Sequence, residues 1–170
     1  MNGEPLPLEH GFPARTVVPG LYGYVSACKW IVSIEATTFA QQQAYWVQEG
    51  WVAQPTIQLA SRIDTPRTQK TVSVGQTVAI AGVAWDQHVG VAKVEVQVDN
   101  GAWQVARLAS EPSTDTWRQW VLPWTPARTG TTKIRARAFD EHGRAQDEQN
   151  RGPFPAGATG LHTITVNVVG

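Results

Sequence analysis

The 170-residue sequence holds a single cysteine, Cys28, and no excess of either charge. One thiol cannot form an internal disulfide, so cysteine gives no indication of an oxidising compartment. Basic and acidic residues number 14 each, so no global attraction to nucleic acid or anionic lipid follows. No apolar run approaches the ~20 residues of a membrane helix. The opening MNGEPLPLEH lacks the basic and apolar regions of a signal peptide.

What is present divides the chain into two zones. Hydrophobic residues make up 42% of the chain, which is ample for a packed core. The first zone, 1–54, combines loops with three short apolar runs, RTVVPG, KWIVSIEATTF and AYWVQEGWVA. Its segment WIVSI predicts a buried strand, and no amphipathic helix is apparent. Because Pro55 breaks the preceding element, we expect the boundary there, with the second zone over 55–170.

The second zone contains seven short apolar runs separated by Gly, Pro, Asn or Asp. In VAKVEVQV (91–98) valines alternate with polar residues, which is typical of a strand with one buried face. The run KIRARAF (133–139) alternates in the same way, and Asn100-Gly101 is expected to supply the positive φ angles of a tight hairpin turn. Seven such strands predict an immunoglobulin-like β-sandwich, so the chain is expected to be mainly β.

The stretch NGEPLPLEHGFPARTVVPG, closed by CKW at residues 28–30, resembles the end of the molybdopterin-binding domain in the sulfite oxidase family of molybdenum enzymes. The segments SRIDTP and PFPAGATGLHTITVNV in the second zone resemble that family's C-terminal dimerisation domain, an immunoglobulin-like sandwich. The resemblance implies that the chain is the C-terminal part of such an enzyme. Zone 1–54 would be a loop-rich, partial α+β molybdopterin-binding domain, and zone 55–170 the dimerisation domain.

The resemblance also implies cofactor contacts at His10, at Arg15 and at the segment Ala27, Cys28 and Lys29. These residue types suit an anionic pterin that carries a phosphate. A guanidinium offers a planar fork of donors, an ammonium a compact positive charge, and an imidazole a donor on either nitrogen. In the family the metal-binding cysteine lies well upstream of this stretch, so Cys28 is interpreted as a small packing residue and not as a metal ligand.

Two further residues are candidates for a substrate pocket. The family's active-site tyrosine falls by spacing at Trp51, where an indole can donate a hydrogen bond but cannot act as a phenolic acid or base. This departure puts sulfite itself in doubt as the substrate. Arg151 corresponds by its order in the chain to a family arginine that helps to bind an oxyanion, and paired N–H donors suit that task. The alternative for Arg151 is a solvated loop arginine.

The function implied is that of a molybdenum–molybdopterin oxidoreductase that transfers an oxygen atom to or from a small oxyanion such as sulfite. The chain alone is expected to be inactive, to form a homodimer through 55–170, and to depend in the intact protein on an electron acceptor such as a cytochrome. No nucleic-acid partner is expected. The resemblance favours a localisation outside the cytoplasm, and the sequence itself does not determine the localisation. The alternative is a non-catalytic β-sandwich module that binds carbohydrate or protein through exposed tryptophans. That alternative explains 55–170 but not the stretch around His10.

Overall fold

A computed structural model describes residues 2–170 as two compact units. The first unit comprises the residues up to Ile57 together with Gly152–Ala158, and the second comprises Gln58–Arg151 and Thr159–Gly170. This division follows from which residues lie close together in the structure and does not define the limits of the family domains. The limits 1–54 and 55–170 for the two family domains stay a prediction.

The second unit contains nine strands in two sheets within the described residues. The strands are β1 (Ala60–Thr65), β2 (Thr71–Ser73), β3 (Val78–Trp85), β4 (Val91–Val98), β5 (Gln104–Val105), β6 (Arg107–Leu108), β7 (Arg118–Trp124), β8 (Gly130–Asp140) and β9 (Thr163–Val169). One sheet has the order β1-β3-β7-β6 and the other the order β2-β9-β8-β4-β5.

The apolar residues that alternate with polar ones in β4 and β8 lie in the core of this sandwich. In β8 the side chains of Ile134, Ala136 and Ala138 are fully buried, whereas Arg135 and Arg137 lie on the other face and are half-buried. Val94 and Val96 of β4 are fully buried opposite them. Alternate residues of a strand point to opposite faces, so the period of two read from the sequence places one face inside. The predicted mainly β sandwich is confirmed.

Two local details differ from the predictions. In the turn after β4 the residue with a positive φ is Asp99 (51°), not Asn100 or Gly101, and the Gly101 N–H donates to the Val98 carbonyl at 3.0 Å. One of the seven runs predicted to be strands, AWQVARL (102–108), is not one strand, because β5 and β6 join different sheets. Ala106 between them is buried, so the chain passes from one sheet to the other through the core.

The first unit has little regular structure. It contains a 3₁₀ turn at Leu8–His10 and two single-turn helices, α1 (Gly23–Ser26) and α2 (Tyr45–Gln48). No helix in residues 2–170 is long and apolar enough to cross a membrane. The prediction of a buried strand in WIVSI is wrong. Residues 30–34 join no sheet, and Val32 and Ile34 are 89% and 85% exposed. Within the described residues only the start of this segment bonds to other stretches through its backbone N–H groups, from Trp30 to the Gly11 carbonyl at 3.4 Å and from Ile31 to the Ala14 carbonyl at 3.0 Å, so no neighbouring strand pairs with its remainder.

Candidate functional site

Three consecutive carbonyl oxygens of the 3₁₀ turn Leu8–His10 accept hydrogen bonds from side chains. The Trp30 indole Nε1 donates to Leu8 at 2.7 Å, the Lys29 Nζ to Glu9 at 3.2 Å, and the Arg15 Nη1 to His10 at 3.2 Å. The Leu8 carbonyl also accepts the Gly11 N–H that closes the turn, at 3.3 Å, whereas the carbonyls of Glu9 and His10 at its end are satisfied by the side-chain donors. We name this arrangement, His10 with Arg15, Lys29 and Trp30, the donor-capped turn.

The backbone brings these side chains together. Thr16 bonds to Cys28 twice, through its own N–H to the Cys28 carbonyl and through its Oγ1 from the Cys28 N–H, both at 2.9 Å. Gly11 follows the turn with φ 116°, and a Cβ there would lie 3.2 Å from the Arg15 Cβ and from the Lys29 Cβ and Cγ. Only a glycine combines this backbone conformation with such close side chains, so Gly11 lets the arginine and lysine stems approach each other.

The charge of the donor-capped turn is not neutralised within the described residues. There, no carboxylate pairs with Arg15 or Lys29, whose side-chain partners are neutral carbonyls and, for Lys29, the Trp30 ring at 4.7 Å. The carbonyl uses one of five guanidinium protons and one of three ammonium protons, which leaves donors for a ligand. His10, a residue of the same turn, is exposed. This set of two cations and an imidazole, with a glycine between the stems, fits the phosphate of a molybdopterin cofactor.

The other two predicted cofactor residues lie on the chain that leads into Lys29. Ala27 follows α1 and donates its N–H to the Gly23 carbonyl at 3.1 Å. Cys28 is exposed and its Sγ has only a weak contact, 3.7 Å from the Lys29 carbonyl. The structure therefore brings Arg15 and Lys29 to the turn that contains His10. Residues 27 and 28 directly precede Lys29 in the chain. Their contact with a cofactor stays a prediction.

Trp51 lies in an aromatic cluster of the first unit. Its ring centroid is 5.0 Å from that of Tyr24, 6.3 Å from Trp46 and 5.4 Å from Phe154. Burial raises the pKa of the Tyr24 phenol and the neighbouring Tyr22 adds to the shift, so this phenol stays protonated and donates to the Val52 carbonyl at 3.0 Å. The cluster gives Trp51 a packing role. Whether it also lines a substrate pocket stays a prediction.

Arg151 lies in the second unit, where its guanidinium is already engaged. Nη2 pairs with the Asp147 carboxylate and Nη1 donates to the Gln149 Oε1 at 2.6 Å. Its backbone forms an antiparallel bridge with Thr159. A carboxylate partner neutralises the arginine, so an oxyanion would have to compete with Asp147 for these donors. The substrate role of Arg151 stays a prediction.

Sequence reasoning missed two members of the site. Trp30 directly follows Lys29 in the CKW close, and that adjacency is the only signal in the sequence that could have found it. Thr16 gave no signal, because its pairing with Cys28 spans 12 residues. Residues 2–170 contain no group of three or more His, Cys, Asp or Glu side chains that could hold a metal ion.

Comparisons with known proteins cover both zones. Residues 1–46 match the profile of the oxidoreductase molybdopterin binding domain, and residues 60–166 match that of the bacterial Ig domain. The chain is 36% identical over 164 residues to human mitochondrial sulfite oxidase, with 83% of this chain and 30% of that protein covered. It is 31% identical over 175 residues to Arabidopsis thaliana sulfite oxidase, with 87% of this chain and 44% of that protein covered. The chain thus spans less than half the length of either relative.

The comparison with solved structures also supports the fold. The sulfane dehydrogenase SoxCD from Paracoccus pantotrophus gives a TM-score of 0.64 over 99% of this chain and 49% of that chain, at 22% identity. Fold and profile matches together define a protein in which an immunoglobulin-like sandwich accompanies a segment that matches the molybdopterin binding domain. More particularly, the chain belongs to the sulfite oxidase family, whose members are molybdopterin oxidoreductases.

Proposed function

We propose that the donor-capped turn holds the phosphate of a molybdopterin cofactor, within an oxidoreductase that moves an oxygen atom to or from a small oxyanion such as sulfite. The observation that carries this proposal is the gathering of His10, Arg15 and Lys29 on one turn without a carboxylate partner in residues 2–170. When bound, the cofactor supplies the molybdenum at which the oxygen atom is exchanged, with water as the source or sink of oxygen.

The residues of this chain would bind and orient the cofactor. The Arg15 guanidinium keeps four N–H donors beyond the one given to His10, and a phosphate can accept two of them in parallel. The Lys29 ammonium adds a compact charge with two remaining donors, and the His10 imidazole adds a donor to a phosphate or pterin acceptor. Because neutral carbonyls fix both cations before binding, their positive charge is held in place and stays available to the anion.

The substrate, partners and assembly belong to the same proposal. The relatives named sulfite oxidase support sulfite, and Trp51 in place of the expected tyrosine leaves another sulfur compound or nitrate open. We propose a homodimer through 55–170, an electron acceptor such as a cytochrome, and no sulfite-oxidising turnover by this chain alone. The molar mass in solution tests the dimer, and stoichiometric molybdopterin with full turnover in the 170-residue chain would contradict the last statement.

The sole cysteine allows the cofactor-tail site to be tested directly. Cys28 is exposed and adjacent to Lys29, so an anion bound by Arg15 and Lys29 should slow its alkylation by iodoacetamide. We expect inorganic phosphate, but not chloride at the same ionic strength, to protect Cys28 in the full chain. Arg15→Gln and Lys29→Gln should each raise the phosphate concentration for half-protection by about tenfold, since each removes a charge-assisted hydrogen bond.

The matched control for this experiment is Arg107→Gln. Arg107 is an exposed arginine of β6 in the sandwich, so its removal lowers the net charge by the same amount as Arg15→Gln. We expect the half-protection concentration to stay within twofold of the wild-type value. No phosphate protection in the wild-type chain, or equal losses from Arg107→Gln and Arg15→Gln, would overturn the proposal.

A further inference from the structure

Trp30 contacts the donor-capped turn in three ways. Its indole Nε1 donates to the Leu8 carbonyl at 2.7 Å, its backbone N–H reaches the Gly11 carbonyl at 3.4 Å, and its ring lies 4.7 Å from the Lys29 Nζ. Trp30 therefore contacts the turn at its first residue, Leu8, and at the glycine that follows it, Gly11. Yet the Trp30 side chain is 57% exposed, so burial in a core does not explain its position.

The backbone of Trp30 is in the left-handed region, with φ 57°. This conformation is uncommon for a bulky residue and persists only where the surroundings enforce it. In an extended chain the side chains of Lys29 and Trp30 would point to opposite sides. Here both donate to the same turn, at Glu9 and Leu8 respectively. The left-handed backbone of Trp30 therefore goes together with the placement of the Lys29 ammonium and the Trp30 indole on the same turn.

The ring stabilises the Lys29 ammonium without neutralising it. A cation near an aromatic ring is attracted by the ring quadrupole and keeps its full charge. A carboxylate in the same place would cancel the charge and compete with an anionic ligand. The indole and the carbonyl of Glu9 together restrict a flexible four-carbon side chain, which lowers the entropy that Lys29 loses when an anion binds.

From these contacts we infer that Trp30 is a positioning residue of the phosphate site, which acts on the anion through Lys29. This inference rests on the proposed function and adds a residue to which the family motif assigned no task. Trp30→Phe keeps an aromatic ring and removes the indole donor to Leu8. Trp30→Leu removes both the donor and the ring beside Lys29.

The test uses the full chain and the same protection of Cys28 by inorganic phosphate. We expect Trp30→Phe to raise the half-protection concentration about threefold and Trp30→Leu about tenfold, with the alkylation rate without phosphate unchanged within twofold. The matched control is Trp117→Phe in the sandwich, because Trp117 is also 57% exposed and also lies beside a cation, Arg62. The control should leave the half-protection concentration unchanged.

A double-mutant cycle separates positioning from a purely structural role. If Trp30 acts through Lys29, adding Trp30→Phe to Lys29→Gln should change the half-protection concentration less than twofold. An equal effect of Trp30→Phe in both backgrounds, an unchanged half-protection concentration in Trp30→Phe, or a faster alkylation of the variant without phosphate would each overturn the inference alone. No protection of the wild-type chain would instead overturn the proposed function, and the inference with it.

Discussion

The two units of this protein are stabilised by different means. In the sandwich, apolar side chains on facing strands bury one another, and Ile80, Val94, Val96 and Ile134 are fully buried. In the first unit, Val17, Val32 and Ile34 are largely exposed, and the donor-capped turn is held by side-chain donors to carbonyls. Burial of apolar surface is the dominant favourable contribution to folding, whereas an exposed hydrogen bond contributes little net stability. Stability should therefore be concentrated in the sandwich.

The comparison also shows why the functional candidates lie where they do. A site for an anion needs cations that are fixed but not neutralised, and such groups cannot be placed in an apolar core without a large desolvation penalty. The loop-rich first unit can hold Arg15 and Lys29 on exposed carbonyl oxygens. In the sandwich, by contrast, Arg137 is paired with Glu95 and Glu148, and Arg144 with Asp86 and Asp140, so these charges are already satisfied.

Hydrogen exchange should show the largest difference between the units. The amides of Val94, Val96 and Ala136 lie on interior strands of a five-stranded sheet, so they should exchange only through global opening. The N–H groups of Val32 and Ile34 have no backbone acceptor in residues 2–170 and are expected to exchange almost freely. We expect protection factors to differ by at least about three orders of magnitude. Equal protection in both sets, measured by NMR, would contradict the comparison.

A pair of isoleucine substitutions should give the next largest effect. Ile134→Ala removes a fully buried side chain from the sandwich core and should lower the free energy of unfolding by about 2–5 kcal/mol. Ile34→Ala deletes the same atoms from a side chain that is 85% exposed and should change it by less than about 0.5 kcal/mol. Urea denaturation of the two variants measures both values. Similar losses would mean that Ile34 is buried in the folded protein.

The sandwich could be predicted from the sequence because alternation of apolar and polar residues is visible within a few residues and determines which face of a strand is buried. Val94, Val96, Ile134 and Ala136 could be assigned to the core from alternation alone. The same reasoning failed for WIVSI, since an apolar run specifies a strand only if neighbouring strands pair with it. The turn at Asp99 was misplaced by one residue because Asp and Asn both tolerate a positive φ.

The candidate site was only partly predictable for a related reason. The family motif and the chemistry of the side chains predicted His10, Arg15 and Lys29. Neither says where these side chains lie relative to one another. That the Arg15 and Lys29 side chains meet on the turn that contains His10 depends on contacts over 5 to 20 residues, from Arg15 to the His10 carbonyl and from Lys29 to the Glu9 carbonyl. Trp30 could not be found from its residue type, because its left-handed backbone is visible only in three dimensions.

The smallest expected effect concerns a charged group of the sandwich, Glu95. Its side chain is 12% exposed and accepts hydrogen bonds from Lys93 at 2.8 Å and from Arg137 at 2.8–2.9 Å. Burial by itself would raise the pKa of Glu95, but the hydrogen bonds and charges of Lys93 and Arg137 outweigh it and lower the pKa below its usual value of 4.5. Glu95→Gln should therefore lower the free energy of unfolding at pH 7, by about 1–3 kcal/mol.

The pH dependence of this loss distinguishes charge from shape. Because the pKa of Glu95 is lower in the folded than in the unfolded chain, its carboxylate contributes stability above the unfolded value, and the contribution is lost as pH falls through the folded value. The gap between wild type and Glu95→Gln should therefore narrow as the pH falls from 7 to 3 in urea denaturation. Glu148→Gln, at a half-exposed partner of the same Arg137, should cost less than about 1 kcal/mol at any pH. A gap for Glu95→Gln that stays constant with pH would assign the loss to packing instead of charge.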